Sequence, residues 1–164
     1  MTGKCFYRWI STRAVEFGEK LKHLDDGNDD QLKEFKRSCD ALKDCTRTLG
    51  HCEAMQNEET KKGFASMNTI CTIIEFVATE FKSCDAKLDE TKSTCYKDWN
   101  PFQTEIDLTE KSDITEVCSN FFGTDNCLKK DVTGACGVNE WEKLKDRLLS
   151  LNDRVKKCNF EGIV

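Results

Sequence analysis

Phe64-Ala65-Ser66-Met67-Asn68-Thr69-Ile70-Cys71-Thr72-Ile73-Ile74-Glu75-Phe76-Val77-Ala78-Thr79-Glu80-Phe81-Lys82-Ser83-Cys84-Asp85-Ala86-Lys87-Leu88 carries one apolar stripe at three-and-four spacing. The stripe runs through Phe64, Met67, Cys71, Ile74, Ala78, Phe81 and Leu88, and Ile70, Val77 and Cys84 widen it. That is the period of a helix with a broad buried face. The β-branched run from Thr69 to Ile74 would also suit a strand, but the helical period outlasts any ordinary strand. An arc this wide predicts the buried centre of a helical bundle.

The flanking segments repeat the pattern. Phe6, Ile10, Ala14, Phe17, Leu21 and Leu24 mark a first helix. Leu32, Phe35, Cys39, Leu42, Cys45 and Leu49 mark a second, and Gly50 is a plausible stop. Beyond the central stripe, Cys95 to Phe102 reads as a non-helical crossover, because Pro101 pushes the residue before it out of the helical region. Gln103 to Ser112 reads as a polar loop. Asp113 and Glu116 form a capping pair for a short helix that buries Ile114, Val117, Cys118, Phe121 and Phe122, and Gly123 closes it. A brief helix spans Cys127 to Val132. Asn139 and Glu142 then launch a last amphipathic helix through Trp141, Leu144, Leu148, Leu151, Val155 and Cys158. With only one proline in 164 residues, the expectation is an all-α protein. It is a single domain over 1–164, built as a compact bundle of about five helices. Phe35-Lys36-Arg37-Ser38-Cys39-Asp40-Ala41 is faintly echoed by Phe81-Lys82-Ser83-Cys84-Asp85-Ala86, but only with a one-residue gap, so the echo reads as chance or a very old duplication.

The eleven cysteines stand at Cys5, Cys39, Cys45, Cys52, Cys71, Cys84, Cys95, Cys118, Cys127, Cys136 and Cys158. There is no C-x-x-C, so the close pairs of zinc knuckles and thioredoxin-like sites are missing. Well-separated thiols read as a framework of about five disulfides formed in an oxidising compartment, each contributing about 2–4 kcal/mol. The competing reading, a cytosolic chain with eleven free thiols, leaves reactive groups exposed. Thr2-Gly3-Lys4-Cys5 runs straight into amphipathic sequence, so a secretory leader is expected to have been removed. If the second and third helices form a hairpin across the Met55 to Glu59 turn, Cys45 lies level with Cys71, the one pair expected from phase. The count is odd. Cys5, near one end, is the first suspect for an unpaired thiol, and a disulfide-linked homodimer is the corresponding expectation.

The net charge of −5 argues against nucleic acid and against an electrostatic membrane anchor. The longest apolar stretch, Ile70 to Ala78, is too short to span a bilayer. Asp26-Gly27-Asn28-Asp29-Asp30 resembles the start of a calcium loop, but Gln31 and Arg37 stand where the loop needs glycine and glutamate. An acidic turn is the better reading. His51 sits beside Cys52, superficially a nucleophile pair, yet a half-cystine is neither nucleophile nor ligand. No phosphate loop, G-x-S-x-G or H-E-x-x-H occurs. No catalytic, metal or cofactor residue is assigned. Trp9 and Trp141 fall on or beside apolar stripes and are expected in the core, whereas Trp99 is placed on a loop. Phe121-Phe122 suits either a core or the mouth of a pocket, and Lys143, Arg147 and Arg154 suit a solvated face.

From Cys39 to Phe160 the chain resembles the nematode secreted, cysteine-rich family known as domain of unknown function, number nineteen. Three blocks carry the likeness: Cys71-Thr72-Ile73-Ile74-Glu75-Phe76 with Phe81-Lys82-Ser83-Cys84, then Cys95 to Phe102, then Cys118 to Cys136 followed by Trp141 and Cys158-Asn159-Phe160. The segment before Cys39 matches less distinctly. The resemblance implies a secreted or extracellular module and supplies no catalytic residues.

The functional expectation is therefore a non-enzymatic extracellular interaction module, a ligand or receptor-like ectodomain whose partner is another extracellular or cell-surface protein. One alternative is a carrier of a small apolar ligand such as a lipid, in a cavity lined by Phe64, Phe76, Phe81, Phe121 and Leu148. A third is a secreted effector or toxin.

Overall fold

In the computed structural model of the protein, Phe64 to Ala78 is helical, as its three-and-four spacing predicts. The structure describes residues 7–24, 28–99, 118–153 and 158–161, with backbone alone at 7–10 and 54. Among them are eight α-helices, one 3-10 turn and no strand. They fall into two compact units, Met1–Ala78 and Thr79–Val164.

In the first unit, α1 (Tyr7–Lys22) packs on α2 (Asp29–Leu49), and α2 packs on α4 (Glu58–Ala78) after a one-turn helix, α3 (Glu53–Gln56). The Asn28 side chain starts α2 by accepting hydrogen bonds from the backbone N–H groups of Asp30 and Gln31, at 3.1 and 3.2 Å. Asp29 and Asp30 add negative charge to the positive end of the helix dipole. That turn is the segment with the calcium-loop look, and its described part works as a helix cap. Gly50 stands at the C-cap of α2, where a stop was expected. Phe35, Cys39, Leu42 and Cys45 are all buried on α2. The rings of Phe17 and Phe35 meet at 5.2 Å and join α1 to α2. On α4, Phe64, Cys71 and Ile74 are buried, and so are Ile73 and Phe76 outside the stripe.

The second unit holds α5 (Lys82–Glu90), α6 (Thr94–Asp98), a 3-10 turn (Thr124–Asn126), α7 (Cys127–Cys136) and α8 (Val138–Leu151). α7 packs against α5, α6 and α8. Phe81, Leu88, Phe122, Leu128, Val132, Trp141, Leu144 and Leu148 form its interior. Trp141 is 1 % exposed, a core residue as its stripe implied.

Four expectations are corrected. The stripe from Phe64 to Leu88 is two helices, α4 and α5, because the chain turns at Thr79 and Glu80. The carbonyl of Phe81 then takes the N–H groups of Cys84 and Asp85 and starts α5. The stripe continues across the break because Phe81, Cys84 and Leu88 are buried as well. The Cys95 crossover contains a helical turn, α6, since the Ser93 hydroxyl accepts the Tyr96 N–H at 3.0 Å and caps it. α8 starts at Val138 with Gly137 as its cap, so Asn139 stands inside the first turn. The loop from Gln103 to Ser112 and the Asp113–Glu116 capping pair lie outside the described residues. α7 runs four residues past the expected Val132.

Candidate functional site

The cysteine framework is the feature that positions everything else. Cys39–Cys71 ties α2 to α4. Cys84–Cys136 ties α5 to α7, and Cys95–Cys127 ties α6 to the start of α7. Cys118–Cys158 fastens the C-terminal segment. Cys52 is also a half-cystine, and Cys5 lies outside the described residues. The expected Cys45–Cys71 pair is therefore wrong: Cys71 is bonded to Cys39, and Cys45 is a free thiol. The cause is helix register. The pairing assumed one tight turn at Met55 to Glu59, whereas α2 ends at Leu49 and α3 is interposed. Six residues along a helix amount to about 9 Å, so the level opposite Cys71 moves back to Cys39.

Cys45 is fully enclosed in the first unit. Burial pushes its thiol pKa up, and the nearby Arg13 guanidinium opposes that more weakly. A protonated, enclosed sulfur is a poor nucleophile and does not reach a second chain. A covalent dimer through this thiol would require the first unit to open. His51, the neighbour of the half-cystine Cys52, is exposed, as is His23. Among the described residues no group of three His, Cys, Asp or Glu is arranged to hold a metal ion. None of their helices is long and apolar enough to cross a membrane.

Around the second unit's bridges the packing is tight. Gly123 has φ 78° and ψ 166°, a region essentially reserved for glycine. A Cβ there would stand 2.7 Å from the Cys127 sulfur and 2.9 Å from the Cys95 sulfur. Ser93 donates its hydroxyl to Asp131, and Tyr96 donates its own to Asp85. Trp99 stacks beside Tyr96 at 6.2 Å and donates its indole N–H to the Phe121 carbonyl at 2.9 Å. The sequence pattern reveals none of these bonds, because each joins residues from different elements.

Phe121, Phe122, Phe160 and Trp141 form one aromatic cluster with neighbouring centroids 5.0–5.7 Å apart. Cys118–Cys158 draws Phe160 toward Phe121 and Phe122. Asn152 holds the same segment: its amide accepts the Cys158 N–H at 2.7 Å and donates to the Cys158 carbonyl at 2.9 Å. The Trp141 indole N–H is buried without a hydrogen-bond partner. Of the residues expected to line a ligand cavity, Phe64 and Phe76 are buried in the first unit, and Phe81, Phe121 and Leu148 in the second. Lys143 is exposed and pairs with Glu140 at 2.8 Å, a bond that raises its pKa. The side chains of Trp9 and Arg154 lie outside those described.

The family described as "Domain of unknown function (DUF19)" matches residues 1–159. The chain is 36% identical over 154 residues to "Excretory canal abnormal exc-13" of Caenorhabditis elegans, covering 90% of this chain and 75% of that protein. It is 34% identical over 158 residues to "UPF0376 protein F10G2.1" of the same nematode, covering 92% and 77%. It is 31% identical over 157 residues to "UPF0376 protein C36C5.12", again of Caenorhabditis elegans, covering 92% and 71%. No solved structure matches.

Proposed function

The chain belongs to the DUF19 family, and from that membership we propose that it is a secreted, disulfide-braced module that binds another extracellular or cell-surface protein without catalysing a reaction. The disulfide framework carries the reading. Three of its four described bridges join separate helices, and the fourth fastens the C-terminal segment. Such bridges persist in oxidising compartments. The free thiol is enclosed and protonated, and the exposed helix faces bear mixed charge, as on α2 with Lys33, Lys36, Asp44 and Arg47. A braced scaffold with an adaptable polar surface loses little conformational entropy on binding. An extracellular binding screen tests this, with the oxidised protein as bait against secreted and surface proteins of a nematode. The name of the relative exc-13 recommends including those of the excretory canal. Saturable binding to a defined partner, abolished by reduction, is expected. Absence of any partner contradicts the reading.

One observation favours the carrier alternative. A buried, unpaired N–H such as that of Trp141 costs about 1–3 kcal/mol, which the acceptor oxygen of a bound apolar molecule would recover. Displacement of a fluorescent fatty acid, accompanied by a change in tryptophan emission, supports a carrier. No displacement across several lipid classes rejects it.

A further inference from the structure

The two units differ in how their cysteines are used. The six cysteines of Thr79–Val164 are Cys84, Cys95, Cys118, Cys127, Cys136 and Cys158, and they are bonded entirely among themselves. None is left to bond to the first unit. Cys39–Cys71 likewise closes inside Met1–Ala78. Each unit has its own apolar interior: Phe35, Leu42, Phe64 and Ile73 in the first; Leu88, Leu128, Trp141 and Leu144 in the second.

The faint sequence echo falls one copy to each unit. Phe35 and Cys39 sit on α2, with both side chains buried and the sulfur bonded to α4. Phe81 and Cys84 sit at the start of α5, again buried, with the sulfur bonded to α7. In both, a buried phenylalanine precedes by about one helical turn a half-cystine that clamps the unit's own partner helix. Chains of up to about 70–80 residues draw much of their stability from such staples, and the second unit, only a little longer, has three.

We infer that the chain is two autonomously folding disulfide modules joined between Ala78 and Thr79, each built around a helix that is stapled within its own module. This goes beyond the binding role proposed above, which holds for one module or two. It implies that disulfide formation in the second module needs nothing from the first, and that a partner-binding face can be lost from one module while the other stays folded.

The test uses the full oxidised chain with a protease recognition sequence inserted between Ala78 and Thr79. It is cleaved without reductant, and the products are separated on a non-reducing denaturing gel and, in native buffer, on a sizing column. Amide exchange of the second fragment is then read by mass spectrometry. The expected result is two covalently separate pieces, with the amides of α8 as slow to exchange in the isolated second piece as in the intact chain. A covalently joined product, or loss of protection in α8 once the pieces part, overturns the inference. Should the insertion itself prevent folding, Leu144→Ala in the otherwise unaltered chain gives an independent answer. Exchange measured in rising denaturant should show the transition of 79–164 moved to lower concentration and that of 1–78 unmoved. Equal shifts in both halves overturn the inference.

Discussion

Gly123 and Gly137 make a controlled pair at the scale of single residues. Both have backbone angles reserved for glycine, φ 78° and 95°. A Cβ at Gly137 meets open space, whereas one at Gly123 runs into two sulfurs. Gly137→Ala should therefore cost the backbone strain alone, about 1–3 kcal/mol. Gly123→Ala should cost more, as measured by denaturant unfolding of the oxidised proteins. Asn152→Ala removes both bonds to Cys158 inside a buried site and should destabilise by about 1–3 kcal/mol, read the same way. Cys45 carries a pH dependence. Its folded pKa is raised, so above the ordinary thiol value the unfolded chain gives up this proton while the folded chain keeps it. Stability conferred by the neutral thiol is present below that value and is lost as pH climbs toward the raised one. Cys45→Ala should flatten this part of a stability–pH curve. The burial of Cys45 was legible from its place on the α2 stripe; its freedom from a bond was not, because that depends on which sulfur lies opposite.

At the scale of elements, the apolar period located helices well and their ends less well. Phe35, Cys39, Leu42 and Cys45 follow the period and are buried, so α2 was readable in both extent and facing. The break between α4 and α5 was not, because Phe81, Cys84 and Leu88 continue the apolar phase past the turn at Thr79 and Glu80. The cap at Asn28 and the turn held by Ser93 are short-range hydrogen bonds that periodicity does not register. The Cys39–Cys71 pairing was illegible for a related reason: α3 sets the level at which α2 and α4 face each other. Asn28→Ala should cost about 0.5–2 kcal/mol by exposing the first N–H groups of α2, as a lowered melting temperature would show. Gly134, inside α7, is exposed with nothing near its missing Cβ. Gly134→Ala should stabilise by about 0.4–1 kcal/mol, chiefly by restricting the unfolded chain, and denaturant unfolding checks it.

For the whole molecule, the framework of bridges links the fold to the proposed role. Loss of the disulfides removes constraints worth about 2–4 kcal/mol each, a large fraction of the 5–15 kcal/mol by which ordinary proteins are stable. The sequence pattern made the all-α class and the oxidised state readable, and the resemblance to a nematode cysteine-rich family agrees with the matching family and relatives. It could not name a partner, since the exposed faces of α2 and α8 carry alternating charges of the kind any soluble helix shows. The most direct test is a disulfide map of the protein purified without reductant, made by alkylating native and then denatured samples before peptide mass spectrometry. The expected bridges are Cys39–Cys71, Cys84–Cys136, Cys95–Cys127 and Cys118–Cys158, with Cys45 alkylated only after denaturation. A Cys45–Cys71 bridge, or cysteines that alkylate throughout without reductant, would contradict this pattern.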